Sequence, residues 1–529
     1  MKYLFTIAFI PFVITVFSQQ PNILWWFDTD DSAFGQSAMG DIDGDGKPEI
    51  TFGCYRNDSM VYALNAEDGS LLWKQNTVGF QEGCNDVATA IYDVDGDGEM
   101  EVIVPSSCNP FTYCFSGIDG SIIWKTLLTS GSDSPPVIAD LDGDGLPEVL
   151  HGQFGGYVIC LDAITGAEKW KIEVDTDSWI QTAPTVVDLN GDGILDIVVA
   201  TWHFSDNNKV YAYNGKDQSL LWSLPVADVI YHGTAVADIL NNGTVQLVIG
   251  DYSGTLYLIN GADGSLEWTY EAGGYIGSPV SIADLDGDGA CEMVFSSGSS
   301  VLALKGDATL LWSFPIPDFG QSFRGAALSD INDDALPDVI FGTDKGRLIA
   351  LKGNSGQPLI NLNLAAHYGK SLDINHAPVV GDFDQNGILD AFVVGGYTNF
   401  PEFQDNYGRG YAVELGQGAG PDWPMFQYDH HRTGSLCPVG STAIDDVTDA
   451  QRLTISPNPV SRGQTIELGL AKDMPGGSLE IHTTTGIFVQ QFSSISNTDR
   501  IEVNLTPGLY VVTVANENFR IHQRLVVTE

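Results

Sequence analysis

Positive charge is scarce in this 529-residue chain, where 23 lysines and arginines face 69 aspartates and glutamates for a net charge of −46. Nucleic acid and anionic membrane surfaces would repel such a chain, which argues against both as partners. Cysteine is sparse, with seven residues, and no Gly-x-Ser-x-Gly, His-Glu-x-x-His or phosphate-binding glycine loop occurs. The familiar signatures of hydrolase nucleophiles, zinc proteases and P-loops are therefore missing. Long apolar runs are confined to Met1 to Ser18, where Lys2 precedes an almost wholly apolar Tyr3 to Phe17 and Ser18 offers a small residue for cleavage. This reads as a secretory signal with Gln19 as the mature start, leaving no membrane-spanning segment in the mature chain. Export would make disulfides available. A hydrophobic fraction of 43% supplies large cores, and the length accommodates two or more domains.

Against this background one acidic motif stands out. In Asp41-Ile42-Asp43-Gly44-Asp45-Gly46-Lys47-Pro48-Glu49 three alternating carboxylates can converge on one hard cation. Gly46 permits the left-handed turn, the Lys47 carbonyl can contribute, and Glu49 closes the cage, the chemistry of a calcium site. The closing acid comes three residues after the glycine, where an EF-hand needs six, so the loop is a clamped hairpin turn. Related loops begin at Asp93, Asp140, Asp188, Asp238, Asp284, Asp330 and Asp382, giving eight units of about fifty residues. Leaving out the loop at Asp238, the others hold 25 carboxylates at ligand positions. Without a cation these groups repel one another, so about five to seven calcium ions are expected.

After each loop comes a strand rich in branched residues, such as Glu101-Val102-Ile103-Val104 or Asp338-Val339-Ile340-Phe341. A hairpin then ends in tryptophan, as in Val61 to Trp73, with counterparts at Trp124, Trp170, Trp222, Trp268 and Trp312 and a weaker one through Ile360. One more apolar strand precedes the next loop. Four antiparallel strands per unit, in tandem, predict an all-β, eight-bladed β-propeller with calcium-binding loops. Ile23-Leu24-Trp25-Trp26 is expected to close the ring as the outer strand of the last blade, with Trp423-Pro424-Met425-Phe426 as its rival. The recurrent tryptophans read as packing keystones between blades. Beyond the polar Leu436 to Ala450, residues 451–529 alternate in strands punctuated by Asn458-Pro459, Gly476-Gly477 and Pro507-Gly508, the pattern of a small immunoglobulin-like β-sandwich. The expected organisation is a signal peptide at 1–18, a propeller at 19–434, a linker at 435–450 and a C-terminal domain at 451–529.

The phased Asp-x-Asp-Gly-Asp-Gly units resemble the FG-GAP/VCBS repeats of integrin-α-like propellers, in which the metal loops lie on the lower rim between the first and second strands. Carried over, the resemblance implies metal sites at Asp41, Asp43, Asp45, Glu49; at Asp93, Asp95, Asp97, Glu101; and at Asp140, Asp142, Asp144, Glu148. It further implies Asp188, Asn190, Asp192, Asp196 and a full set at Asp284, Asp286, Asp288, Glu292. Asp330, Asn332, Asp334, Asp338 depart by Ala335 where glycine is expected, and Asp382, Asp384, Asn386, Asp390 form a weaker set. Asp238, Leu240, Asn242 and Gln246 depart furthest, so that loop is expected to be empty. The segment carrying Ser456-Pro457-Asn458-Pro459-Val460, Thr484-Thr485-Gly486 and Leu505 to Tyr510 resembles the sorting domain of the type IX (Por) secretion system. That resemblance implies outer-membrane secretion machinery as a partner of residues 451–529, and a secreted, extracellular or outer-membrane-surface location. Ala63 to Trp73 is similar to the tryptophan docking motif of quinoproteins, but the chain has no adjacent Cys-Cys pair of the kind several quinoprotein alcohol dehydrogenases carry. The motif is taken as blade architecture without the quinone, and a quinoprotein-type dehydrogenase as the weaker reading.

A propeller is concave at its axial upper face, where chains enter each innermost strand. The strand assignment collects Asn85, Asp86, Asp133, Trp179, Gln181, Tyr231, His232, Tyr275, Phe323, Arg324, Asn375 and His376 there. Flat aromatic faces beside planar polar groups suit sugar rings. Of these, Trp179, Tyr231, His232, Tyr275, Arg324 and His376 are the candidate ligand contacts; filling and capping the channel is their alternative role. The favoured function is a binding or adhesion module for glycan or surface-protein ligands. A polysaccharide lyase using His232, Arg324 or His376 is the enzymatic alternative. Alternation also places Cys54, Cys84, Cys108 and Cys114 on the upper rim of the first two blades, with bridges expected from Cys54 to Cys84 and Cys108 to Cys114.

Overall fold

A computed structural model describes residues 21–439 and, further on, 453–456, 460–470, 478–483, 488–493, 500–502, 505, 508–516 and 519–528. The expected signal peptide lies outside the described residues, as do Pro457 to Pro459, Gly476-Gly477, Thr484 to Gly486 and Thr506-Pro507 of the C-terminal motifs. The chain divides into two compact units, Met1–Thr442 and Ala443–Glu529.

The first unit is an eight-bladed β-propeller. Blade one is built from strands Ala38–Gly40, Glu49–Gly53, Met60–Asn65 and Leu71–Asn76, paired antiparallel in that order from the axis outward. Blades two to seven repeat this plan, with innermost strands Ala90–Tyr92, Val137–Ala139, Thr185–Val187, Ala235–Ala237, Ser281–Ala283 and Ala327–Ser329. Blade eight takes Val379–Gly381, Leu389–Tyr397 and Tyr407–Gly416 from the end of the sequence and Ile23–Thr29 from its beginning. The N-terminal strand thus closes the ring, in register from Trp25 opposite Ala412 to Thr29 opposite Gly408.

Tryptophans lock six of the blades to the next. Trp25 Nε1 donates to Ala66 O at 2.7 Å, Trp73 to Gly117 O at 2.6 Å, and Trp124 to Ala163 O at 2.9 Å. Trp222, Trp268 and Trp312 bond Gly261 O, Gly306 O and Gly353 O in the same way. Five of these rings, those of Trp25, Trp73, Trp124, Trp222 and Trp312, also lie against the turn glycine of the neighbouring blade, at Gly69, Gly120, Gly166, Gly264 and Gly356. A Cβ on Gly69 would stand 2.4 Å from the Trp25 ring, and Gly69 has φ of +71°. Both facts demand glycine there. Hydrophobic burial and one satisfied indole N–H therefore recur at six of the joints.

The innermost strands leave backbone groups facing the axis, and these must find partners. Residues 420–438 supply them by winding through the channel. The amides of Asp330, Val380 and Met39 donate to the carbonyls of Gly420, Trp423 and Pro424. Those of Ile138, Val186, Val236 and Ile282 donate to His430, His431, Thr433 and Gly434 at 2.8–3.2 Å. In blade two, Tyr92 meets the His430 ring edge-on at 5.0 Å. The sequence rival for ring closure, Trp423 to Phe426, is instead part of this axial plug. Arg432 is fully buried in it, donating to Pro136 O and Phe426 O, and burial pulls its guanidinium down to about 10. Leu436, Cys437 and Val439, at the start of the expected linker, pack against hydrophobic clusters of the propeller.

The disulfides differ from expectation. Cys84 pairs with Cys108 and Cys291 with Cys437, while Cys54, Cys114 and Cys160 are buried thiols. Cys114 lies within a third strand opposite Ile103 and Trp124, its side chain turned into the blade core, so it cannot fold back onto Cys108. Cys54 is likewise enclosed between blades one and eight. Cys84, on the chain entering blade two, meets Cys108 in that blade's upper loop.

The second unit has two sheets. One joins Leu453–Ser456, Thr465–Leu470 and Arg500–Glu502. The other orders Val460–Ser461, Phe519–Thr528, Gly508–Asn516, Ser478–Thr483 and Phe488–Ser493, with buried Leu479, Ile481, Val512 and Val527.

Candidate metal loops and upper face

The acidic loops occupy one end of the propeller, between the first and second strand of each blade. Each is organised by its own carboxylates. In blade one the Asp41 carboxylate accepts from Gly44 N at 2.8 Å and Gly46 N at 3.0 Å, while Glu49 Oε2 accepts from Ile42 N at 2.9 Å. The last contact recurs from Val94 to Glu101, Leu141 to Glu148, Leu189 to Asp196, Leu285 to Glu292, Ile331 to Asp338 and Phe383 to Asp390. The donor residue is buried every time, anchoring the loop on the blade core. One oxygen of the closing acid is thereby committed to the backbone; the other meets Lys169 in Glu148 and Asn214 in Asp196. In Glu292, Asp338 and Asp390 that second oxygen is buried without any hydrogen-bond partner.

The ligand atoms of five sets lie within 4.8 Å of one another: Asp41, Asp43, Asp45; Asp93, Asp95, Glu101; Asp140, Asp142, Glu148; Asp284, Asp286, Glu292; and Asp382, Asp384, Asp390. These clusters can hold a metal ion. Burial and the neighbouring carboxylates push Glu49, Glu101, Asp196, Glu292, Asp338 and Asp390 up to about 7. Blade seven departs in two ways: Asn332 Nδ2 donates to Asp338 Oδ2 at 2.5 Å, and Ala335 adopts φ of +67° at the glycine position. Blade five departs most. Gln246 keeps the backbone contact to Leu240 N, but its amide N–H turns to Thr244 and Asn242, placing a donor where the other loops place an acceptor.

The opposite end is aromatic. Ser178–Trp179 and Trp202–His203 form a short ribbon that sets Trp179 beside Trp202, and Phe154 bridges to Trp179. From there the rings run on: Phe154 to Trp179 at 4.6 Å, Trp179 to Phe204 at 5.0 Å, Trp202 to Tyr252 at 5.3 Å and Tyr252 to Tyr275 at 5.5 Å. Tyr231 links Trp202 to Phe323. Arg324 lies over the Tyr231 ring at 5.1 Å, with its Nε buried and unpartnered. Across from it, Asp86 accepts from Ser107 Oγ at 2.6 Å and Asp133 from Gln181 Nε2 at 3.0 Å. Burial raises both carboxyls, their mutual repulsion raises Asp133 further, and Arg324 opposes both shifts. Asp133 Oδ1 has no partner.

Of the sequence candidates, Trp179, Tyr231, Tyr275 and Arg324 belong to this surface. His376 does not: its Nε2 meets Ser37 N at 3.0 Å and Ser37 Oγ at 2.8 Å, tying blade eight to blade one. His232 packs against Tyr231, Phe323 and Phe426, capping the plug. Burial keeps both neutral. Trp202 and Tyr252 were missed. Each lies two residues beyond the end of a second strand, a shared position that is the one signal the sequence offers for them.

Comparison with known proteins matches three families. The family described as outer membrane protein assembly factor BamB matches residues 144–247 and 206–423, an FG-GAP-like repeat matches 41–104, and a secretion system C-terminal sorting domain matches 454–528. The outer membrane protein assembly factor BamB of Yersinia pestis is 23% identical over 195 residues, 36% of this chain. The chain spans 45% of that relative's length. Among solved structures, Sqt1 of Saccharomyces cerevisiae aligns with a TM-score of 0.55 at 12% identity, covering 75% of this chain and 100% of that one. A europium-containing methanol dehydrogenase aligns with a TM-score of 0.53 at 12% identity, covering 74% and 93%. Both likenesses concern the fold.

Proposed function

Since the chain belongs to the BamB-described propeller family, which matches more than half of it, and ends in a sorting-domain sequence, we propose a secreted, calcium-binding propeller that serves as a binding module. Its ligand is a glycan or a surface protein, received on the upper face. The observation that carries this reading is the aromatic cluster of Trp202, Tyr231, Tyr252 and Tyr275 beside Arg324 Nε and Asp133 Oδ1, two polar atoms still lacking partners. Stacked rings supply apolar contact area and the unpaired groups supply orientation, the combination that sugar rings use. On the lower rim the oxygen-only donor sets favour calcium over softer ions. The sorting domain takes the chain through the outer membrane, to be released or held at the surface.

Binding of the full-length exported protein to a panel of neutral and acidic glycans and to cell-surface protein extracts tests the reading. Trp202→Ala and Tyr252→Ala are expected to weaken binding by about tenfold or more without lowering the melting temperature. No ligand on either panel, or binding indifferent to both substitutions, would overturn it. New unsaturated ends on an acidic polysaccharide would instead favour the lyase.

A further inference from the structure

The seven acidic loops are not equivalent, because in some of them a lysine of the same blade already stands among the carboxylates. In blade three Lys169 Nζ lies 2.8 Å from Asp142 Oδ2, 2.5 Å from Glu148 Oε1 and 3.9 Å from Asp144 Oδ2. Glu148 Oε1 corresponds to the oxygen left without a partner in Glu292, Asp338 and Asp390. Lys305 reaches Asp286 at 2.6 Å and Asp288 at 3.0 Å in blade six, and Lys352 reaches Asp334 at 3.2 Å in blade seven. Lys305 leaves Glu292 Oε1 unpaired, so its neutralisation is partial.

The register explains which blades have this cation. Lys169 immediately precedes the blade tryptophan, where blades one, two and four carry Leu72, Ile123 and Leu221. Lys305 and Lys352 follow the third strand, at the position occupied by Asn65, Ser116, Asn214 and Glu414 in blades one, two, four and eight. Lys47 belongs to the blade-one loop, but its ammonium turns away to Glu67 at 2.8 Å.

We propose that Lys169 is a tethered counter-ion that takes the place of calcium in blade three, with Lys305 and Lys352 weakening calcium in blades six and seven. The lysine-free clusters of blades one, two and eight are then the tight sites. The driving term is electrostatic: an ammonium held among the ligands cancels charge that a divalent ion would otherwise meet, and must be displaced before the ion can enter. Its tether makes it available at any calcium concentration.

This rests on the loops being calcium sites, and the test separates the two ideas. Calcium is titrated into the chelated full-length protein against a chromophoric chelator, and the number of tightly bound ions is counted for wild type, Lys169→Met and Ile123→Lys. Ile123 is exposed, so the lysine it becomes disturbs no core while standing where Lys169 stands in its own blade. Lys169→Met is expected to add one tight ion, with affinity at that loop rising about tenfold or more, and to lower the melting temperature only in chelator. Ile123→Lys is expected to remove one. Unchanged stoichiometry and affinity in both variants, with calcium bound by wild type, would overturn the tethered counter-ion. No calcium bound by wild type would overturn the calcium sites themselves.

Discussion

The two ends of the propeller obey different rules. At the lower rim one loop design recurs blade after blade, with a buried anchor, a closing acid tied to the anchor's amide, and carboxylates turned outward. At the upper end no such repetition exists. Blade four contributes a ribbon with two tryptophans, blade six a guanidinium neighbour on the chain leaving it, and blades two and three a pair of carboxyls. Repetition suits a structural task performed in seven blades; irregularity suits a single surface. The difference separates what stabilises the ring from what it presents.

The largest effect should come from removing the cation. A loop saturated at about a hundred times its Kd contributes about 2.7 kcal/mol, so chelating several loops at once is expected to lower the melting temperature steeply, and calorimetry with and without chelator measures it. An unchanged midpoint would erase the contrast between the ends. Next in size is a single lysine-free loop: Asp41→Ala, which removes a blade-one carboxylate that also accepts from Gly44 N and Gly46 N, should cost about 2–3 kcal/mol in calcium. Asp238→Ala, which removes only contacts from Asn242 N and Gly243 N, should cost about 1 kcal/mol or less. Equal losses by denaturant titration would mean that the blade-five loop is no different from the rest.

Acidity sharpens the comparison further. In chelator, Glu49, Glu101, Asp196, Glu292, Asp338 and Asp390 titrate near 7 when folded and below 5 when unfolded, so the folded state binds more protons in between. Their contribution is fully present below the unfolded values and is lost as pH rises through about 7. His151, His376 and His430 act oppositely. Burial lowers them to about 4, 3 and 3, so their contribution is present above about 6.5 and is lost as pH falls towards those values. The chelated protein should therefore melt higher at pH 6.5 than at pH 8, and calcium should abolish the gain. A melting temperature that falls from pH 8 to 6.5 in chelator would contradict this. The smallest effect is Ala335→Gly, which relieves the left-handed alanine of blade seven and should stabilise by about 0.5 kcal/mol in urea unfolding.

Much of the ring was legible because repetition multiplies weak signals. One Asp-x-Asp-Gly turn decides little, but eight in phase locate the strands, the closing strand and the keystone tryptophans. The plug was not legible, since residues 420–438 repeat nothing and their role is to offer carbonyls, which every residue has. Cys437 was lost with it: treated as linker, it could not be paired with Cys291. The upper surface was half legible. Strand counting found Tyr231 and Arg324, but the ribbon that sets Trp202 against Trp179 depends on a loop conformation that no periodicity encodes. His376 shows the converse error, in which a polar residue at the right height serves the joint between blades.

The Cys291–Cys437 bond has a mechanical meaning. Cys291 immediately precedes Glu292, the closing acid of the blade-six loop, and Cys437 lies at the end of the plug. Tension applied from beyond residue 437 does not pull first on the hydrogen bonds that hold residues 420–436 in the channel. It passes through the sulfur bridge into the start of blade six's second strand, where it loads a hydrogen-bonded ladder in shear. The axial segment is strain-relieved, as a cable is by a clamp placed ahead of its connector.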